Sequence, residues 1–305
     1  MSQESELGGY QVVGRIAVGG MAEVYQARPQ EGTQRSPGEP DDVVLKRLLP
    51  AYRNDGAFVK QFVDEAKLTV RLRHANIVRT FRCFKAGVDY LMVQELIPGR
   101  TLAYMQELLQ KSATPMPPES AVYVVTCLLR ALDYVHRAKV GEAGATIVHR
   151  DVNPTNILMS VQGEVKLTDF GVAEVEGVMR GEAGALRGTL AYMSPEQVLG
   201  LSVDARSDLY SVGVILWELF ANRRLFTADN EGDLMLKVRD ARAPLLTSVA
   251  PGIPDYAAQI VRKALFADRA HRFQTASEFL RALEVLARRN GWPLTVDALT
   301  PLLGG

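Results

Sequence analysis

Cysteine is nearly absent from this chain. Two residues, Cys83 and Cys127, occur in 305. They lie far apart, without the spacing of metal ligands, which excludes a structural zinc site and a disulfide framework. Both sit among apolar neighbours and read as buried free thiols in a reducing compartment. Charge of one sign is missing too: 35 Lys and Arg balance 35 Asp and Glu. Nothing in the bulk charge draws the chain to nucleic acid or to an anionic membrane. Long hydrophobic runs are also lacking. The longest, Val212 to Phe220, is interrupted by Glu218; it is too short to span a bilayer and reads as a buried helix. Met1 to Tyr10 is polar and acidic, unlike a signal peptide. The expectation is a cytoplasmic protein without a membrane anchor, internal repeat or low-complexity tail.

What is present divides the chain in two. Apolar residues make up 47%, enough for one large domain or two packed lobes. The first ninety or so residues are strand-rich. Gln11–Ile16 and Glu23–Arg28 flank a Gly-Gly turn as in a hairpin. Residues 29–42 are rich in Pro, Gly and charge and read as an exposed, mobile loop. Val43 to Lys46 is a short β-branched strand. Phe58, Phe62, Ala66 and Val70 recur every fourth residue, as one face of a helix. Tyr90 to Leu96 is another strand, ended by Pro98-Gly99. Beyond residue 100 the helical period dominates. Pro117-Pro118 opens a helix through Leu128, Leu129, Leu132 and Val135. Leu209–Phe220 is apolar nearly all round, and Thr275 with Glu278 predicts a capping box for a last helix. A small β-rich part followed by a large α-rich part predicts an α+β protein with two lobes and a ligand cleft between them.

The chemistry-bearing residues are weak signals singly and strong together. Asp151 and Asn156 lie in His-Arg-Asp-Val-Asn-Pro-Thr-Asn, residues 149–156, and Asp169-Phe170-Gly171 begins eighteen residues after Asp151. Asp169 alone could be a turn residue, yet a hard carboxylate beside a second oxygen, that of Asn156, can hold Mg²⁺ whose shell is completed by nucleotide phosphates. Asp151 would then accept a hydroxyl proton, its pKa kept low by the neighbouring dication. Lys46 alone could be an exposed strand-end lysine. Glu65, on the face between Phe62 and Ala66, can pair with it and aim it at phosphate. The turn Ile16, Ala17, Val18, Gly19, Gly20, Met21, Ala22, Glu23 and Val24 can bring backbone N–H groups to phosphates, or be a simple hairpin.

Taken in order, these residues resemble the bacterial eukaryotic-like (Hanks-type) serine/threonine protein kinases, over roughly residues 10–289. His74-Ala75-Asn76-Ile77-Val78, Gly188 to Glu196, Asp208 and Arg272 add to the match. The resemblance implies a bilobal protein-kinase fold. A small β-rich N-lobe with one regulatory helix would occupy residues 10–96, and a larger α-helical C-lobe residues 97–289. Residues 1–9 would be an extension and 290–305 a short tail, packed back on the large lobe through Trp292 and its leucines. It implies ATP with Mg²⁺ or Mn²⁺ as cofactors, and protein substrates and a regulatory protein as partners. Lys46 would contact the α- and β-phosphates, Asp151 would orient the substrate hydroxyl, and Asn156 and Asp169 would hold the metal. Glu95 C=O and Ile97 N–H would meet adenine, with Gln94 as gatekeeper. Glu196 and Arg272 would form a buried ion pair. Thr189 and Pro154 favour Ser/Thr over Tyr as acceptor.

Three departures stand out. Asn153 replaces the Lys that neutralises the γ-phosphate in the family. Losing one such contact costs about 3–4 kcal/mol, or roughly 10²–10³ in rate, part of which an amide hydrogen bond from Asn153 could recover. Ala17 and Ala22 stand where the family has glycine, a change that is cheap only if φ stays negative and that predicts weaker ATP binding. From Val172 to Arg187 there is no Ser, Thr or Tyr, although Arg150 belongs to a motif commonly neutralised by loop phosphorylation. Glu174, Glu176, Glu182 or a partner protein would supply that charge. The departures favour a nucleotide-binding pseudokinase scaffold. The presence of Lys46, Glu65, Asp151, Asn156 and Asp169 together favours an active kinase. A small-molecule kinase of the aminoglycoside or choline type shares the Asp…Asn…Asp core, but not Gly188–Glu196 and Asp208.

Overall fold

The structure, a computed structural model, describes residues 6–140, 145–170 and 189–303. Its described residues fall into two compact units, residues 6–97 with Phe170, and residues 98–140, 145–169 and 189–303.

The first unit is built on a six-stranded antiparallel sheet. Its strands are β1 (Glu6–Leu7), β2 (Tyr10–Val18), β3 (Ala22–Pro29), β4 (Val43–Leu48), β5 (Thr80–Ala86) and β6 (Asp89–Glu95), in the order β1-β2-β3-β4-β6-β5. Side chains alternate across a strand, and the two faces bury different sets. Val43, Leu45, Leu91 and Val93 join Tyr10, Ala27 and Phe81 on one face. Leu48 and Met92 face helix α1 (Gly56–Thr69) and pack with its Phe62 and Ala66. Lys46 is two residues from Leu48, so the pleat directs it to the α1 side. Asp55 caps α1 by accepting from the N–H groups of Ala57 and Phe58. Residues 6 and 7, expected in an extension, form the edge strand against Gln11 and Tyr10.

The stretch 29–42 has no regular structure over most of its length, but it is tied down, contrary to the mobile loop expected. Glu39 is buried and accepts from Tyr10 Oη at 2.5 Å and from Ser36 N at 2.9 Å. Arg82 donates to the same tyrosine oxygen at 2.7 Å. Composition revealed the lack of apolar side chains; it could not reveal a carboxylate whose partners lie up to 43 residues away, as Arg82 does.

The second unit carries a three-stranded sheet, β7 (Gly99–Thr101), β10 (Ile157–Ser160) and β11 (Val165–Leu167), ordered β11-β10-β7, and a separate two-stranded ribbon, β8 (Lys139–Val140) and β9 (Ala145–Thr146). A Cβ at Gly99 would stand 2.0 Å from Met159 O, so only glycine lets β7 approach β10. Helices α2 (Leu102–Lys111) and α3 (Pro118–Arg137) precede the site, and the helices Ala205–Ala221, Asp255–Ala264 and Ala276–Asn290 follow it. In the Ala205–Ala221 helix every residue from Ser207 to Phe220 is buried. Its Gly213 lies where a Cβ would be 2.7 Å from Ala264 Cβ, so the two helices pack almost backbone to backbone. The tail packs back on this unit: Ala298 and Leu299 are buried, and Ser120 on α3 donates to Ala298 O. Cys127 is buried and Cys83 only partly so; both are free thiols. Among the described residues, no helix is long and apolar enough to cross a membrane.

Candidate active site

The antiparallel register of β10 and β11 sets the geometry of the metal-binding candidates. Ile157 pairs with Leu167, so the residues just outside the hairpin, Asn156 and Thr168, are neighbours too, and Thr168 N donates to Asn156 O at 2.9 Å. Asp169 follows at once, with a left-handed φ of 56°. Upstream, the loop 147–153 is fastened from the central helix. Asp208 accepts from His149 N at 2.9 Å and Arg150 N at 2.8 Å, and lies 2.7 Å from His136 Nε2. Arg150 has φ 68°, a costly conformation for a residue with a Cβ. Bonds on both sides hold it there, since Gln197 Nε2 donates to its carbonyl at 2.8 Å. Burial raises the Asp208 carboxyl, but the His136 hydrogen bond and the charges of His136 and His149 outweigh it, and Asp208 stays below the usual carboxylate range. Burial also holds the His149 imidazole below its ordinary value.

Asp151 is gripped from both sides. Asn156 Nδ2 donates to Asp151 Oδ2 at 2.9 Å and to its carbonyl at 3.0 Å. Asn153 Nδ2 donates to Asp151 Oδ1 at 2.7 Å. Asn153 Nδ2 is thus folded onto the loop, where the sequence had led to the expectation of a hydrogen bond toward phosphate. The cause is local. Asn153 is the N-cap of the 3₁₀ turn Pro154–Asn156, its Oδ1 accepting from Thr155 N, and lysine has no acceptor to do this. Burial pushes the Asp151 carboxyl up, opposed by His149 and the two amides, while Asp169 adds to the rise. The low pKa expected from a neighbouring dication is therefore not a property of the protein groups alone.

The donor set fits Mg²⁺. Asn156 commits its nitrogen to Asp151 and turns Oδ1, a hard oxygen, toward the Thr155 hydroxyl at 3.4 Å, while Asp169 brings a carboxylate one residue beyond Thr168, whose N–H bonds the Asn156 carbonyl. Two protein oxygens with the remaining shell supplied by phosphate suit this ion. Among the described residues no group of three or more His, Cys, Asp or Glu could hold a metal by itself.

In the first unit, Lys46 Nζ lies 2.8 Å from Glu65 Oε1, both side chains nearly buried. Gln94 is buried and donates to Thr80 Oγ1 at 3.2 Å. Glu95 ends β6, and Ile97 follows two residues later. The β2–β3 turn, Ile16 to Val24, closes with Gly19 N donating to Ala22 O at 2.8 Å. Ala17 and Ala22 are not among the residues with positive φ, so neither alanine strains the backbone. Ala22 gains packing, its methyl joining Leu48, Phe62, Ala66 and Met92. Glu23 binds Tyr25 Oη at 2.9 Å and approaches Arg15 and Arg47.

Thr189 accepts from Tyr192 N at 3.0 Å, and Pro154 is the first residue of the 3₁₀ turn. Glu196 and Arg272 meet in a two-pronged pair at 2.7 and 2.8 Å. Gly171 and the acceptor-free stretch 172–187, with Glu174, Glu176 and Glu182, lie outside the described residues. Sequence reasoning missed the supports His136, Thr155 and Gln197. Gln197 carried a readable signal, because Ser194 and Gln197 form a full capping box. His136 carried none, being 72 residues from its partner.

The chain is similar to known proteins along nearly its whole length. The family model described as "protein kinase domain" matches residues 10–282. The tyrosine-protein kinase MasK of Myxococcus xanthus is 32% identical over 282 residues, which are 91% of this chain and 43% of that protein. The serine/threonine-protein kinase PknL of Mycobacterium tuberculosis is 36% identical over 285 residues, 93% of this chain and 67% of that protein. The chain thus spans under half of one relative and two thirds of the other. A crystal structure of the Mycobacterium tuberculosis PknI kinase domain superposes with a TM-score of 0.69 at 26% identity, over 94% of this chain and all of that one.

Proposed function

The chain belongs to the protein kinase family, and from that premise we propose that it transfers the γ-phosphate of ATP to Ser or Thr hydroxyls of protein substrates. The carrying observation is the Asp151 carboxylate, held by the amides of Asn153 and Asn156 with the Asp169 charge close enough to act on it. In this reading Asp151 orients the substrate hydroxyl and takes its proton. Lys46, aimed by Glu65, positions the α- and β-phosphates, and the backbone of Glu95 and Ile97 meets adenine. The residues Ile16 to Val24 cover the phosphates with backbone N–H groups. Asn156 and Asp169 would hold Mg²⁺ or Mn²⁺, which would supply positive charge to the phosphates. Pro154 and Thr189 support Ser/Thr as acceptor, in line with the name of PknL; the name of MasK points to tyrosine. A regulatory protein, or a glutamate of the 172–187 stretch, supplies negative charge to Arg150.

The test is transfer from γ-labelled ATP to a generic basic protein, with Mg²⁺ or Mn²⁺, followed by phosphoamino-acid analysis. Phosphoserine or phosphothreonine is expected from wild type and none from Asp151→Asn or after chelation of the metal. Equal silence of wild type and Asp151→Asn sinks the reading, and phosphotyrosine alone sinks its acceptor class.

A further inference from the structure

We infer that Asn153 is a positioning residue whose side-chain amide locks the Asp151 carboxylate in place. The chain has exchanged a cation that would reach toward phosphate for a clamp on the proton acceptor. The inference rests on the phosphotransfer reading and deepens it.

Asn153 is 3% exposed, and every hydrogen-bonding group of its amide is engaged inside the loop. The two N–H bonds point to Asp151 Oδ1 at 2.7 Å and to Asp151 O at 3.3 Å. Oδ1 accepts from Thr155 N at 2.9 Å and from the Thr155 hydroxyl. These partners fix which way the amide faces. Reversed, it would set its oxygen against a carboxylate oxygen and its NH₂ against the Thr155 N–H. Asn156 makes the matching contact to Asp151 Oδ2 at 2.9 Å. Each carboxylate oxygen is thus bound by one amide and keeps a second lone pair for a substrate hydroxyl. Hydrogen bonds to an ionised acceptor are strong and directional, and holding a reacting group in one orientation lowers the barrier to its step. Lysine at 153 has no acceptor with which to cap the 3₁₀ turn.

Three variants separate clamp, cap and cation. Asn153→Ser keeps a capping oxygen for Thr155 N but is too short to reach Asp151. Asn153→Asp keeps the cap and turns an acceptor toward Asp151 Oδ1. Asn153→Lys restores the cation and loses both. Expected for Asn153→Ser is a kcat lower by about tenfold or more, the loss that accompanies one hydrogen bond to a charged group, with KM for ATP unchanged. Asn153→Asp should fall at least as far, and Asn153→Lys should be no faster than wild type. Wild-type kcat in Asn153→Ser, or an Asn153→Lys variant clearly faster than wild type, overturns the clamp. If wild type proves no faster than Asp151→Asn, the phosphotransfer reading fails and NMR decides the clamp by itself. The side-chain amide resonance of Asn153, identified by its loss in Asn153→Ser, should move in Asp151→Asn; an unmoved resonance overturns the inference.

Discussion

Arg272 spends a whole guanidinium on five protein acceptors. It binds both Glu196 oxygens, the carbonyls of Phe266 and Ala267 at 2.7 and 2.8 Å, and that of Arg206 at 3.3 Å, with its side chain fully buried. Ser207 Oγ adds a bond to Glu196 at 2.5 Å. Burial raises the Glu196 carboxyl, but the Arg272 and Ser207 hydrogen bonds overcome it and hold the group below its ordinary 4.5. The stability this contributes is therefore present above that ordinary value and is lost as pH falls through the lowered one. Removing one partner leaves a buried charge with nothing to balance it. Glu196→Ala should lower unfolding stability by about 3–5 kcal/mol, measured by urea denaturation at neutral pH. Replacing both partners with apolar residues of similar size should cost less than either single change. A single variant as stable as wild type would show that the pair contributes little.

The Ala205–Ala221 helix shows which features of an element can be read from sequence. Its apolar run announced a buried helix, and the helix is buried from Ser207 to Phe220. Likewise the stripe of Phe58, Phe62, Ala66 and Val70 marked α1, which ends at Thr69 with Val70 as its C-cap, and the placing of Glu65 beside it led to the Lys46 pair. Periodicity reports such features because they are local. It does not report what a buried polar group meets. Thr275 does accept from Glu278 N, but the Glu278 carboxylate turns to Gln274 N and Lys263 instead of closing the box. In the same way Glu218 looked like a mere interruption. It is 1% exposed and gathers Tyr192 Oη at 2.6 Å, Leu225 N at 3.0 Å, and Gln106 Nε2 and Arg224 Nη1, each at 3.3 Å. Burial pushes its carboxyl up to about 8, from 4.5. The unfolded chain loses this proton near the ordinary value and the folded chain only near the raised one. Its contribution therefore favours folding at low pH and is lost as pH rises toward about 8. Thermal midpoints of wild type and Glu218→Gln, compared from pH 5 to 8.5, should diverge as pH rises, with wild type falling behind. The opposite slope would mean that Arg224 keeps the carboxylate ionised in the folded protein.

For the whole molecule, the proposed phosphotransfer turns on what neutralises Arg150, next to Asp151 in the chain. Acid and base balance at 35 each, so no bulk field stands in for a local negative charge. A phosphate on the stretch 172–187 would need a hydroxyl, and that stretch has none. It has Glu174, Glu176 and Glu182, carboxylates that need no second enzyme to install them. Thr189 is the first hydroxyl after it, and its carbonyl already accepts from Tyr192 N in a turn leading to the buried Leu190. Whatever longer assembly the relatives' extra length stands for, the chain as it stands should not depend on loop phosphorylation. Its initial rate of phosphotransfer should be the same before and after phosphatase treatment, with intact mass recording the phosphates removed. Single Glu→Gln changes at 174, 176 and 182 should then lower the rate at one of the three positions. If all three leave it intact, the charge comes from a bound protein. A rate that collapses on dephosphorylation, together with a phosphate mapped to Thr189, would refute this form of control.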